Sequence, residues 1–564
     1  MTLLLLLQEM VADDVFDGSS YARNVSLDAN VDIFWTIDAE FETIQVAVHA
    51  KAASGWAGVG VSEMGGMEGA DIVFCEAAVS LSLTGTITDA YTIEAGMPVT
   101  DECSQDWSLL SAGVGTDGLV FEAQRSLDTG DSQDRVFVDD SADGVSPTRL
   151  LAAWGDSETI GYHGSDNVAQ GEGIMFGGME TSNADPLLEV IADPDVSFFD
   201  VAATNFTIPA MRTWYELTCV SESELPALEE VCMDMDVLLV GSLFQSDTSK
   251  YIHHVRVRAY RDVADCGQVC DALAADGGDD TATYSSPSSS ASPSSCDYNF
   301  ADIFLWTPGS TNSDLPADVG FRFGTAEGDD GFRSISVQTH YNNPDEDIGV
   351  TDSSGVRVYY TEELRKMDMG VLELGDPFVR LIGTSLPDGK SSFSFSCPGS
   401  CTEDHFQLDS VTVYSHFLHM HENGRRLHTR QYRTGSDGNE FMVHAAEIEY
   451  YAFAQAGGHV TLADDSMTIQ KGDRFETDCY FDTGLSPVGS ENVTFGLGSE
   501  NEMFIDFLFY YPTQNVPQSG VCGYATCGGA LDGISKLDVA SDFNRTFGIA
   551  ADACATGEEV VGDE

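Results

Sequence analysis

The chain has 564 residues, with 93 Asp and Glu against 25 Lys and Arg, a formal net charge of -68. A field this negative, spread along the whole chain, repels nucleic acid and anionic membrane surfaces; it suits a solubilising surface, or attraction of cationic substrates or Ca2+. Length and ordinary hydrophobic content allow roughly three to four domains of ~150 residues.

The opening segment, MTLLLLLQEMVADD, resembles a clipped signal peptide without a basic leader, and its leucines are too few to cross a membrane. Residues 22–175 carry short runs such as DIFWTID, TIQVAVHA, GWAGVGVS and ADIVFCEAAV, broken by Gly and Asp. This predicts an antiparallel β-sandwich. Residues 176–200 read as a linker with Asp and Pro. A second β-rich unit follows at 201–355, interrupted by the Ser/Pro run YSSPSSSASPSSC at 284–296, which is too polar to bury and predicts a surface loop. A third β-rich unit spans 356–530, with GVRVYYT, SVTVYSHFLHMH and MFIDFLFYYP, and an acidic tail with Cys554 occupies 531–564. The predicted fold class is therefore all-β, with no transmembrane helix. The 13 cysteines include no CxxC pair, which excludes zinc-ribbon and thioredoxin-type motifs. Cysteine content and Asn-x-Ser/Thr sequons at Asn24, Asn205, Asn492 and Asn544 favour an oxidising, secretory compartment, with secretion expected.

Five histidines and one methionine carry the chemistry. His253 and His254 lie in YIHHVRV, His340 in VQTHYNNP, His419 and His421 in FLHMHENG, and Met503 in NEMFIDFLFYYP. Imidazole alone suits zinc, copper, iron or nickel, whereas imidazole with a thioether favours copper, above all Cu(I). His419 and His421 are two apart, so a strand points both to one face. His253 and His254 are adjacent and would face opposite ways; they meet one metal only if the strand bends, bulges or ends there. Each signal is weak alone. An HxH pair is often a solvated strand face, His416 and His428 make this segment histidine-rich, and a lone Met is usually packing.

The motifs QTHYNNP, FLHMHENG and EMFIDFLFYYP occur in this order, together with SSGVRVYYTEELRKMDMGVLELG and NFTIPAMRTWYELTC. In these the chain resembles the copper type II, ascorbate-dependent monooxygenases over residues 200–525. The stretch GWAGVGVSEMGGMEGADIVF, followed by GYHGSDNVAQG, is similar to a DOMON domain. A DOMON domain ahead of two copper domains matches the dopamine and tyramine branch of the family. The resemblance implies an N-terminal DOMON β-sandwich at 22–175, then two tandem jelly-roll-like copper domains at 201–355 and 356–530. It implies two coppers per chain, with His253, His254 and His340 on the electron-transfer copper. His419, His421 and Met503 would hold the copper where O2 binds and substrate is hydroxylated, with ascorbate as reductant. The substrate would be a small organic molecule such as a phenylethylamine-like amine, and a homo-oligomer is compatible with the sequence.

Departures refine this expectation. The peptide-amidating relatives carry Arg at the position of Phe417, so a bidentate carboxylate anchor is lacking and an apolar or aromatic group fits better. The resemblance implies a Cys397–Cys522 disulfide, with Cys401 reaching Cys554 or Cys527. Cys219, Cys266, Cys270 and Cys296 can pair among themselves in three ways. Cys479 matches a bridging position whose partner site is Phe504, so that bridge is expected to be missing and Cys479 unpaired. Cys75 and Cys103 form a candidate bridge within the DOMON unit. Met67 and His163 lie near the haem-ligand positions of some DOMON domains, although a structural or ligand-sensing role is favoured over haem. Two other readings stay open: a non-catalytic extracellular DOMON/copper-binding protein, and a haem-linked DOMON redox protein.

Overall fold

The computed structural model describes residues within 16–174, 193–264, 300–516 and 534–538, and Cys522, interrupted chiefly at 77–84, 138–147, 226–234, 244–250, 376–384 and 486–492. The Ser/Pro run, Cys103, Cys266, Cys270, Cys296, Cys527 and Cys554 lie outside the described residues. These residues form an all-β protein of mainly antiparallel sheets with one short α-helix, Gly399–His405, and no helix long and apolar enough to cross a membrane among the described residues. The described residues fall into two compact units, the first within 16–174 and the second within 193–538.

The first unit is a sandwich of a five-stranded and a six-stranded sheet. In Val31–Asp38 the sequence alternates, and Val31, Ile33 and Trp35 turn inward while Asp32, Phe34 and Thr36 are less buried. Trp56–Ser62 is buried along its whole length, and Gly60 is required there: a Cβ would sit 2.8 Å from the Asp71 carbonyl oxygen. Cys75 corrects the expectation of a bridge to Cys103. It is a free thiol with no exposed surface, because its strand, Asp71–Glu76, turns it into the core beside Val73 and Ala57.

The second unit holds two successive β-sandwiches. In the first, one sheet contains β1 (Thr213–Val220), β2 (Ile252–Tyr260), β3 (Phe300–Trp306) and β4 (Ser334–Asn342), in the order β1-β4-β2-β3. In the second, the main strands are β5 (Gly370–Gly375), β6 (Lys390–Cys397), β7 (Ser410–Met420), β8 (Gly424–Thr434), β9 (Glu440–Ile448), β10 (Arg474–Asp482) and β11 (Phe504–Tyr511). One sheet runs β5-β11-β7 and the facing sheet β9-β8-β10-β6. A disulfide joins Cys397 to Cys522 across 125 residues of sequence, and Cys219 and Cys401 are also disulfide-bonded. Cys479, on β10, is a buried free thiol.

Strand β11 reads FIDFLFYY because it is covered on both faces. Ile505, Phe507 and Phe509 join Phe417, Met503 and the first sandwich's Val255 and Val257 in one core. Leu508 and Tyr510 face the other way, into the second sandwich's own core with Val411, Val413 and Phe475. The two sandwiches of the second unit thus share a continuous apolar interface, and the strands bearing the candidate ligands border it.

Candidate metal centre

Strand β2 is not regular where its histidines lie. Its pairing with β4 runs Ile252↔Tyr341 and then His254↔His340, leaving His253 unpaired in a bulge. This is the distortion that two adjacent histidines need to reach one point. The three Nδ1 atoms converge: His253 to His254 at 3.0 Å, His253 to His340 at 3.1 Å and His340 to His254 at 3.4 Å. His253 and His340 are buried and His254 is partly exposed. Tyr215, opposite His340 on β1, stacks on the His340 ring at 4.3 Å and fixes its plane.

His419 lies near the end of β7 and His421 directly after it, with ring centroids 5.3 Å apart. Pairing of Met420 with Phe504 brings Met503, the residue before β11, to the same end of the ladder. Met503 is buried with Phe417 and Ile505, on the face turned toward the first sandwich of the second unit. Two groups that the sequence did not reveal fix this corner. Tyr451 Oη accepts from the Met420 amide at 2.8 Å and donates to the Met420 carbonyl at 2.6 Å, clamping the backbone between the two histidines. The Glu502 carboxyl accepts from the amides of His421 and Asn423, and burial pushes its pKa up to about 8.

The sequence separates the two ligand sets, whereas the structure places them side by side. Ring centroids of His254 and His419 are 5.6 Å apart, those of His253 and His421 6.2 Å, and those of His253 and His419 6.4 Å. Phe453, another residue without a sequence signal, stacks on His253 at 3.6 Å and meets His421 edge-on at 5.8 Å. Arg212, just before β1, binds both oxygens of Glu422, at 3.1 and 3.2 Å, beside His421. Phe417 packs edge-to-face on Phe507 at 6.1 Å and stacks near His419 at 6.3 Å, so the wall beside His419 is aromatic.

Burial first, and then neighbouring imidazoles, lowers His253, His254, His340 and His419 well below the usual histidine range. Their rings are neutral near pH 7 and present lone pairs. His253 Nε2 and His419 Nδ1 are buried without a hydrogen-bond partner. Three converging imidazole nitrogens fit a metal ion, and Met503, buried at the same end of the ladder as His419, carries a thioether, a donor type suited to copper.

Met67 and His163 occupy separate loops of the first unit, one between Trp56–Ser62 and Asp71–Glu76 and the other between Thr148–Gly155 and Val168–Ile174. Met67 packs against Ala70, Ile72 and Phe74, and His163 Nδ1 lies 2.6 Å from the Gly164 carbonyl oxygen.

Comparison with known proteins gives three successive matches. Residues 27–143 match the DOMON domain, residues 199–348 the copper type II ascorbate-dependent monooxygenase N-terminal domain, and residues 367–528 its C-terminal domain. Dopamine beta-hydroxylase of Homo sapiens is 24% identical over 497 residues, covering 86% of this chain and 72% of the relative. Tyramine beta-hydroxylase of Caenorhabditis briggsae is 24% identical over 498 residues, covering 87% and 76%. DBH-like monooxygenase protein 1 of Gallus gallus is 26% identical over 478 residues, covering 82% and 68%. Matched in both copper domains behind a DOMON domain, the chain belongs to the copper type II ascorbate-dependent monooxygenase family.

Proposed function

We propose that this protein hydroxylates a C–H bond of a small organic substrate, with a phenylethylamine-like amine as the leading class, in an oxidising secretory compartment. The observation that carries this reading is the convergence of His253, His254 and His340 beside His419, His421 and the Met503 segment. The first three would hold one copper and serve electron transfer. The second three would hold another, where O2 and substrate meet. Bound copper would supply one-electron redox chemistry; ascorbate would give two electrons and the substrate C–H bond the other two, so that with two protons one oxygen of O2 ends in the alcohol and the other in water.

The chain's own residues prepare the site. Burial keeps the imidazoles neutral, so their lone pairs need not be freed of protons near pH 7. The bulge at His253 and the Tyr451 clamp hold both histidine sets in place before any ligand binds. Phe453 fills space between the sets and excludes water there. Phe417 and Phe507 replace a carboxylate anchor with an aromatic wall, which supports a substrate with an apolar or aromatic body. The domain limits that go with these roles are 22–175, 201–355 and 356–530, and the Cys397–Cys522 disulfide supports the oxidising compartment.

The test is an oxygen-uptake screen of copper-loaded protein with ascorbate and a panel of aromatic amines, followed by product identification. Substrate-dependent uptake with an alcohol product is expected. Absence of uptake across amines and hydrophobic substrates would overturn the catalytic reading in favour of copper binding without turnover.

A further inference from the structure

On the face of strand β7 opposite His419, a second group of nitrogen, sulfur and carboxylate side chains meets around His416. His416 points into the second copper domain's sandwich and has no exposed surface. Its Nδ1 meets the buried carboxylate of Asp506 on β11 at 3.0 Å. Its Nε2 faces the Met467 sulfur at 3.3 Å. From the facing sheet, His444 on β9 lays its ring parallel to that of His416, the planes 10° apart in angle and the centroids 5.5 Å apart. The His444 Nε2 atom is buried and has no hydrogen-bond partner.

Each feature points the same way. Asp506 accepts from His416 Nδ1, and in the tautomer that carries its proton there Nε2 presents a lone pair. That lone pair is aimed at a thioether, which has no proton to give. Two lone-pair donors this close are what a shared ion explains, since bonds of ~2.0 Å to nitrogen and ~2.3 Å to sulfur place such atoms at this separation. A carboxylate on the far ring nitrogen is the outer support that metal-binding histidines ordinarily carry.

We propose that His416 Nε2, Met467 Sδ and His444 Nε2 bind a third metal ion, Cu(I), inside the second copper domain, with Asp506 orienting His416. The thioether selects a soft ion. The single carboxylate balances one positive charge, so a divalent ion would leave buried charge uncompensated. Such an ion ties β7 to the facing sheet. Cys479 on β10 and Phe504 on β11 belong to these same two sheets, and their identities leave a cross-sheet disulfide unmade. The ion therefore supplies a cross-link where that covalent one is missing.

The inference goes beyond the six-residue centre, and its test is independent of it. Full-length protein is loaded anaerobically with Cu(I), desalted, and its copper per chain is counted, for wild type, Met467→Leu and His444→Gln. Each variant is expected to hold one copper fewer than wild type, with Met467→Leu also losing thioether scattering in the copper X-ray absorption spectrum. The difference between wild type and variant is read whatever the wild-type total, so failure of the catalytic reading does not alter it. If Met467→Leu does not fold, His444→Gln decides alone. Equal copper in wild type and the folded variants overturns the proposal and leaves His416 as a protonated partner of Asp506 with an N–H···S contact.

Discussion

Replacing Asp302 by Asn tests how strand β2, which carries His253 and His254, is anchored. Asp302 is fully buried on β3 and accepts from Arg256 Nε and Nη2, both at 2.5 Å, and from Arg258 Nε at 3.3 Å. Burial alone would raise its pKa, but the two guanidiniums overcome burial and hold it below the usual carboxylate range. The amide keeps the volume and removes the charge, leaving Arg256 and Arg258 with side chains only 11% and 17% exposed. Removing one partner of a buried pair costs about 3–5 kcal/mol. Glu373, 3.9 Å from Arg256, offsets part of this, because its carboxyl is raised by burial and then by the charge of Asp302, and removing that charge lowers it toward pairing with Arg256. A loss of ~3 kcal/mol is therefore expected, the lower end of that range. The internal control is Asp200→Asn, whose partner Arg357 lies at 2.7 and 2.8 Å with both side chains partly exposed; there the loss is at most ~1 kcal/mol. Scanning calorimetry of metal-free protein at pH 7 reads both. Equal shifts for the two variants, or an Asp302→Asn, Glu373→Gln double variant no less stable than Asp302→Asn, would refute the reasoning.

Met503→Ile removes the thioether and is expected to lower turnover at least ~100-fold, more than an outer partner of a ligand costs, while copper stays on the three-histidine set; equal loss of copper from both sets would contradict two independent sites. Asp89 is raised to about 8 by burial and then by the charges of Asp134 and Asp71, so the folded protein binds a proton that the unfolded chain, titrating near ~3.9, releases. The associated stability is full below pH ~4 and is lost as pH rises toward ~8. Asp89→Asn should flatten the melting temperature across that window and raise it at pH 8; an unchanged slope would remove Asp89 as the cause. Burial pushes the Cys75 thiol up to about 11 and raises Cys479 well above its usual value. Iodoacetamide at pH 7.5 should spare both in the native protein and label both in unreduced, denatured protein, as peptide mass spectrometry would show.

What the sequence made legible was local. Alternation in Val31–Asp38 and the continuous apolar run of β11 identify strands by period and by burial on two faces. Adjacency of His253 and His254 requires a distorted strand, and the bulge lies there. What stayed hidden depends on contacts between distant segments. Nothing in the run around Phe453 marks it as the ring stacked on His253, and nothing near Glu502 or Tyr451 announces a clamp on the His419–His421 turn. The closeness of the two histidine sets follows from Phe417, Ile505 and Phe507 packing on Val255 and Val257 across two sandwiches, which strand periodicity does not encode. Cys75 was misread for a similar reason: spacing cannot tell a bridging cysteine from one turned into a core.

The central claim is that this aromatic-walled, histidine-rich centre inserts one oxygen atom of O2 into a C–H bond. Turnover of copper-loaded protein with ascorbate and phenylethylamine-type substrates under 18O2 tests it most directly. One 18O atom in the alcohol product is expected, with none formed by Met503→Ile. Absence of labelled product across the panel, or product oxygen derived from water, would contradict it.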